Sequence, residues 1–195
     1  EEDFGITPVG HPHIIAGDKT VTTKIREREF IFIGLNATDS AFSLPHAAAV
    51  VKQFAEDPQR IVIISIHWGD EYTLRANSRQ RMIAHTLIDD GADLIIGHHP
   101  HVVQDIEQYR DAFIFYSLGN FVFDQYFSHA TQEGLLVRFL FEKDFLSAAL
   151  LPIDLAYSQP KEMPRDRAQK WLTQLAARSD PQLTAHIEKG ILKKR

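Results

Sequence analysis

The sequence has no cysteine, which excludes disulfides and thiolate metal sites and leaves the redox compartment open. It has no cluster of lysine and arginine before the terminal Lys193-Lys194-Arg195, and its net charge is −5. Both features argue against nucleic acid as a partner, and the short basic tail reads as solvated. No apolar run approaches the roughly 20 residues that span a bilayer. The stretch from Glu1 shows neither the basic nor the apolar region of a signal peptide, so no membrane segment is evident. Internal repeats and low-complexity segments are also missing. A chain of 195 residues has the size of one domain and is long enough to bury roughly 70% of its unfolded surface.

What the chain does have is concentrated between Ile61 and Phe123. Ile61 to Ile66 is a short β-branched apolar run of the kind buried on both faces of a parallel sheet, and His67 follows it. Asn77 or Ser78 is placed to cap a helix whose stripe is Ile83, Ala84, Leu87 and Ile88, with Gly91 as its left-handed stop. Asp93 to Ile96 predicts a second buried strand, followed by Gly97-His98-His99-Pro100-His101. A strand, helix, strand unit has a right-handed crossover and parallel strands, so both carboxyl ends lie on one edge of the sheet, where ligands of open α/β sheets bind. His67 is thereby predicted to meet His99 and His101. An extended His-Pro-His puts its two imidazoles on one side by period-two alternation, with the proline restraining the backbone. Imidazole is the commonest zinc ligand and suits iron. His67 alone reads more readily as a loop or core histidine; the cluster is what favours a metal role.

The ordered motifs HWGDEY, GADLIIGHHPHVVQ and FYSLGNFVFD resemble those of the capsule-synthesis CapA family, or poly-γ-glutamate biosynthesis proteins, within the calcineurin-like metallophosphoesterase superfamily. The likeness is close over about 61–124 and looser outside. It implies an α/β fold, a metallo-dependent phosphatase-like layered α/β/β/α sandwich with a dinuclear metal site between strand-end loops. By resemblance, His67 matches the lone-histidine motif and His99 and His101 match the paired histidines of Gly-His-x-His, with His98 a weaker ligand candidate. The implied cofactors are two divalent ions, zinc, iron or manganese. The implied activity is that of a phosphoesterase-type hydrolase acting on an anionic polymer or phosphoester, alongside other capsule-synthesis proteins, at the cell envelope or outside the cell. A non-catalytic polymer-binding or assembly component with the same fold is the alternative. The superfamily's Asp-x-His, Gly-Asp-x-x-Asp and Asn-His motifs do not occur here, so the resemblance implies that the bridging carboxylate, the proton donor and any signal or anchor lie upstream of Glu1. The 195 residues then correspond to a sandwich lacking its N-terminal half, and alone are expected to show little activity.

Along the rest of the chain, Gly10-His11-Pro12-His13 is a literal Gly-His-x-His, but no buried strand precedes it and it reads as a decoy. Thr20 to Leu35 predicts one or two strands around a charged turn at 26–29. Pro45 opens a helix with Ala47, Val50, Val51 and Phe54 on one face, ended by Asp57-Pro58. The long connection from His67 to Asn77 has the character of a site loop. In it, Glu71 reads equally as a carboxylate orienting a ligand histidine or as a solvent-facing acid, and Trp68 as a packing residue. Ile106 to Tyr109 and Ala112 to Ser117 predict a hairpin leading to Gly119-Asn120, a turn signal that the resemblance places beside the metal loops, which makes Asn120 a candidate to hydrogen-bond a substrate oxygen. Gly134 to Glu142 and Phe145 to Ile153 predict a second hairpin turning at Lys143-Asp144. Residues 160–164 read as a connector, Ala168, Trp171, Leu172 and Leu175 as an amphipathic helix, and Leu183 to Ile187 as a short last helix. The expected division is 1–157 as the phosphoesterase-like part and 158–195 as a helical extension packed on it.

Overall fold

The β-branched run that predicts a buried strand forms one: β3 (Arg60–His67) lies in the middle of a six-stranded sheet. The structure, a computed structural model, describes residues 5–142 and 145–194. The turn expected at Lys143-Asp144 falls outside them. The sheet order is β1 (Val21–Ile25), β2 (Arg28–Asn36), β3, β4 (Leu94–His98), β6 (Ala112–Phe115) and β5 (Ile106–Tyr109). β2, β3, β4 and β6 are parallel, and β1 and β5 close the two edges as antiparallel arms of hairpins. The hairpin expected at 106–117 and the strand, helix, strand unit are thus present.

Alternation along these strands makes two apolar faces. One carries Ile31, Ile33, Val62, Ile64, Ile95 and Ile114, all buried. It is covered by α1 (Leu44–Ala55) and α2 (Ser78–Asp89), which contribute Val50, Val51, Ile83 and Leu87. Ser43 caps α1, accepting from the His46 N–H. Asn77 caps α2 in a capping box, its side chain accepting from Gln80 N–H and the Gln80 side chain accepting from Asn77 N–H. This satisfies two of the orphan donors at that helix start. Gly91 follows α2 with φ +108. An added Cβ there would stand 2.3 Å from the Ala55 Cβ, so glycine serves both the turn and the closeness of α1.

The other face carries Phe30, Ile61, Ile63, Leu94, Phe113 and Phe115. Against it packs a second sheet of order β10 (Ile191–Lys194), β8 (Phe145–Ala156), β7 (Glu133–Glu142), with β9 (Gln159–Glu162) also on β8. Edge-to-face contacts of Phe30 with Phe141 (5.1 Å) and Phe115 with Phe139 (5.5 Å) join the sheets. α3 (Arg165–Arg178) adds Trp171, Leu172 and Leu175 to the same core, as α4 (Thr184–Glu188) adds Ile187. The fold is mixed α/β.

One sequence expectation is corrected here. Within the expected connector 160–164, residues 160–162 belong to strand β9, which folds back along β8 with Leu155 opposite Pro160. Of the basic tail read as solvated, Lys193 is exposed, while Ile191 to Lys194 pair with 146–149 of β8 and Leu192 is fully buried. A four-residue strand with one buried side chain is too short to show periodicity.

A candidate metal centre at the strand ends

The carboxyl ends of β2, β3 and β4 place Asn36, His67 and His98 side by side in register, so these side chains point to one face of the sheet. That face is apolar at its lower half and polar at this edge, where Ser65 is exposed. The loop after β4 then turns back on itself. His99 has φ +98 and His101 φ +59, so the expected extended His-Pro-His is wrong. The two rings reach one place, with centroids 6.1 Å apart, through two left-handed residues flanking Pro100 rather than through strand alternation. Non-glycine residues in such conformations cost about 1–3 kcal/mol each and persist where the surroundings require them.

One ligand atom from each of Glu71, His99 and His101 lies within 4.8 Å of the others. Glu71, which the sequence leaves as an orienting or a solvent-facing acid, is 47% exposed and lies in this group of three, its Oε1 3.9 Å from His101 Nε2. The His67 ring stands 4.5 Å from the His99 ring. Burial first, and then the neighbouring His99, His98 and His101, hold His67 below the ordinary histidine value. It is therefore a neutral imidazole near pH 7. His98 is also lowered by burial, and it lies outside the group of three donors, lining a cleft of about 390 Å³ with His67, Asn36, Ser65 and His11.

Asn120 fixes the chemistry of His101. Its Nδ2 donates to the Thr131 carbonyl at 3.0 Å, an acceptor only, which sets the amide orientation. Its Oδ1 then accepts from His101 Nδ1 at 2.9 Å. Nδ1 of the His101 ring therefore carries a proton, and Nε2 is the ring nitrogen on the Glu71 side. Asn120 is 6% exposed and also donates to Gln125. The expectation that it reaches a substrate oxygen is corrected, since its polar atoms are engaged inside the protein.

Trp68 is a packing residue: it is 1% exposed and its indole N–H donates to the Tyr116 carbonyl at 2.8 Å. That indole and carbonyl crowd Gly97, where a Cβ would stand 2.0 Å from Tyr116 O and 2.4 Å from Trp68 Nε1. Gly97 is what lets β4 lie close enough to β6 to deliver His99.

The segment Gly10 to His13, which no buried strand precedes, lies against β2. An added Cβ at Gly10 would meet the Gly34 carbonyl at 2.6 Å, the Pro12 carbonyl accepts from Asn36 Nδ2 at 3.2 Å, and His13 Nδ1 lies 2.5 Å from Asp39 Oδ2. Its two histidines are not in the donor group.

Two imidazoles and a carboxylate are a donor set that suits zinc, iron or manganese, and the Nδ1–H tautomer of His101 presents the lone pair such an ion requires. The geometry fits a divalent cation. Residues 11–125, more than half the chain, match the bacterial capsule synthesis protein PGA_cap; the chain belongs to that family. It is 44% identical over 107 residues to the PGA biosynthesis protein CapA of Bacillus subtilis (strain 168), covering 54% of this chain and 28% of that protein. It is 38% identical over 111 residues to the capsule biosynthesis protein CapA of Bacillus anthracis, covering 55% and 27%. A probable polyglutamine synthesis accessory protein of Mycobacterium tuberculosis is 39% identical over 67 residues, covering 34% and 18%. The chain spans about a quarter of the length of the two CapA relatives it matches.

Proposed function

We propose that this chain supplies part of a metal-dependent, phosphoesterase-type hydrolase centre that acts in the synthesis, release or transfer of a capsule or poly-γ-glutamate polymer at the cell envelope or outside the cell. The observation that carries the reading is the meeting of Glu71, His99 and His101 within 4.8 Å. The layer order of helices, sheet, sheet and helix supports the metallo-dependent phosphatase-like sandwich. Family membership supports the polymer.

In this reading His99 and His101 donate through ring nitrogens and Glu71 through a carboxylate oxygen, and His67 takes a neighbouring position. Asn120 holds the His101 ring, and the left-handed turns at His99 and His101 aim both rings. A bound divalent cation supplies Lewis acidity that polarises a phosphoryl oxygen and acidifies water. One carboxylate offsets little of the charge of two dications, so these residues by themselves hold one ion. Among the described residues no helix is long and apolar enough to cross a membrane.

Elemental analysis after dialysis against zinc, iron or manganese tests this. The wild type is expected to hold about one ion per chain, His99→Ala and His101→Ala to lose it, and His11→Ala and His13→Ala to keep it. Equal losses at both pairs would move the site to the 11–13 segment. A metal-free wild type that still binds the polymer would favour the non-catalytic binding component.

A further inference from the structure

Away from the histidines, a second cavity of about 400 Å³ opens between β5, the start of α2 and the end of α3. Arg75, Arg81 and Arg178 line it together with Asp105, Glu107 and Asp180. The formal charges balance, but the hydrogen-bonding capacity does not. Asp105 accepts from the Ala76 N–H and pairs with Arg81. Glu107 accepts from Arg81 at 2.7 Å and from the Tyr116 hydroxyl at 2.8 Å, and meets His85 at 2.7 Å. Asp180 accepts from the Gln108 and Gln182 N–H groups. The three carboxylates are engaged by the protein itself.

The arginines are not. Among the described residues, Arg81 has both acids, while neither Arg75 nor Arg178 has a carboxylate within ion-pair distance. Arg178 donates one bond, from Nη2 to the Val103 carbonyl at 3.2 Å, and stands 5.9 Å from the Trp171 ring centroid. Its Nε is buried without a partner, a condition proteins rarely leave uncompensated. Arg75 donates to the Arg178 carbonyl at 3.0 Å, which brings the two guanidinium-bearing residues together. The Arg75 backbone is held in turn, because Gln104 Nε2 donates to the Thr73 and Arg75 carbonyls. Burial pulls Arg178 below its ordinary range; Asp105 and Glu133 oppose this, and Arg75 adds to it.

We infer that this cavity is a carboxylate-binding site, in which Arg75 and Arg178 take one carboxylate group of a ligand of about the bulk of an acidic amino-acid unit. A guanidinium fork matches a carboxylate bidentately. The balanced lining admits a single negative charge better than a dianion, which favours a carboxylate over a phosphate monoester. Glu71 is four residues from Arg75, and His101 four from Asp105, so the Cα atoms within each pair lie no more than roughly 14 Å apart.

The test is a titration of the ¹⁵N-labelled chain with N-acetylglycine, a monocarboxylate, in chelator-treated buffer so that the outcome does not depend on the metal reading. A saturable shift of the Arg178 Nε–H resonance is expected, with affinity at least about tenfold weaker in Arg75→Ala. Arg75 is exposed, so that variant keeps the fold out of the question. Arg178→Met is expected to keep the thermal midpoint of the ligand-free wild type or raise it, and to lose the ligand-induced rise. No saturable shift in the wild type would overturn the site, as would unchanged affinity in Arg75→Ala, or displacement of N-acetylglycine by inorganic phosphate at equal or lower concentration. A ligand-induced rise that survives in Arg178→Met would overturn it equally.

Discussion

Replacing Asn120 separates the stability of this domain from the metal affinity assigned to it. Asn120→Ala removes the acceptor of the His101 Nδ1 proton and the donor to the Thr131 carbonyl. The third partner, Gln125, is half-buried and can turn to solvent. Two orphaned groups at about 1–3 kcal/mol each give a loss of roughly 2–4 kcal/mol, allowing for partial hydration at the site. On the metal reading, a ligand histidine freed from its outer partner loses about 10–100-fold in affinity. Asn120→Asp is the control. It keeps an acceptor against His101, so metal affinity is held or raised, but it sets a carboxylate against the Thr131 carbonyl and lowers stability as much as alanine does. Equilibrium dialysis with zinc and urea denaturation of the three proteins measure both quantities. If Asn120→Ala binds zinc as the wild type does, the tautomer argument fails; if Asn120→Asp binds as weakly as Asn120→Ala, the acceptor is irrelevant.

Gly97→Ala puts a Cβ into the Tyr116 carbonyl and the Trp68 indole and is expected to cost about 3 kcal/mol or more in chemical denaturation, whereas Gly5→Ala, with open space around it, serves as a comparison limited to its own positive φ. For Glu107, burial raises the pKa, but hydrogen bonds from Tyr116 and His85 and the charges of His85 and Arg81 outweigh it and leave it below the ordinary value. A depressed acid contributes stability above its unfolded pKa of about 4.3 and loses it as pH falls through the folded value. Glu107→Gln should therefore flatten the acid limb of a stability–pH curve, and a curve of unchanged slope would contradict the assignment. His99→Gly relieves a positive φ that His99→Ala retains, so the metal-free glycine variant should be about 1 kcal/mol more stable than the alanine variant, read from paired denaturation midpoints.

Much of this was legible in the residues. The run 61–66, the Asn77 cap and the Gly91 stop each carry a local signal strong enough to fix an element, and a right-handed crossover then brings His67 to the histidines after β4 without further information. β9 and β10 were not legible because a strand with no buried side chain, or with Leu192 alone buried, has no period to read; they are strands only because β8 offers them an edge. The role of Glu71 depends on how the 67–77 loop closes, which is set by distant bonds such as the Tyr72 N–H to the Pro100 carbonyl. His-Pro-His defeated the alternation rule because the surroundings impose left-handed backbone at two residues that would not choose it. The contact of the 10–13 segment with β2 was not legible because its anchor is the absence of side chains at Gly10 and Gly34, and such pairing has no local signature.

The two left-handed histidines around Pro100 also bear on what substitution over time can do here. Each is held in a conformation that glycine or asparagine adopts at lower cost, so histidine at 99 and 101 is kept at a conformational cost. A lineage in which these rings no longer had a purpose would drift first at these two positions, toward glycine or asparagine, and would gain stability as it did so. In a collection of homologous chains, glycine or asparagine at 99 and 101 beside an intact Gly97 and Asn77 would therefore mark proteins that kept the scaffold and gave up the centre.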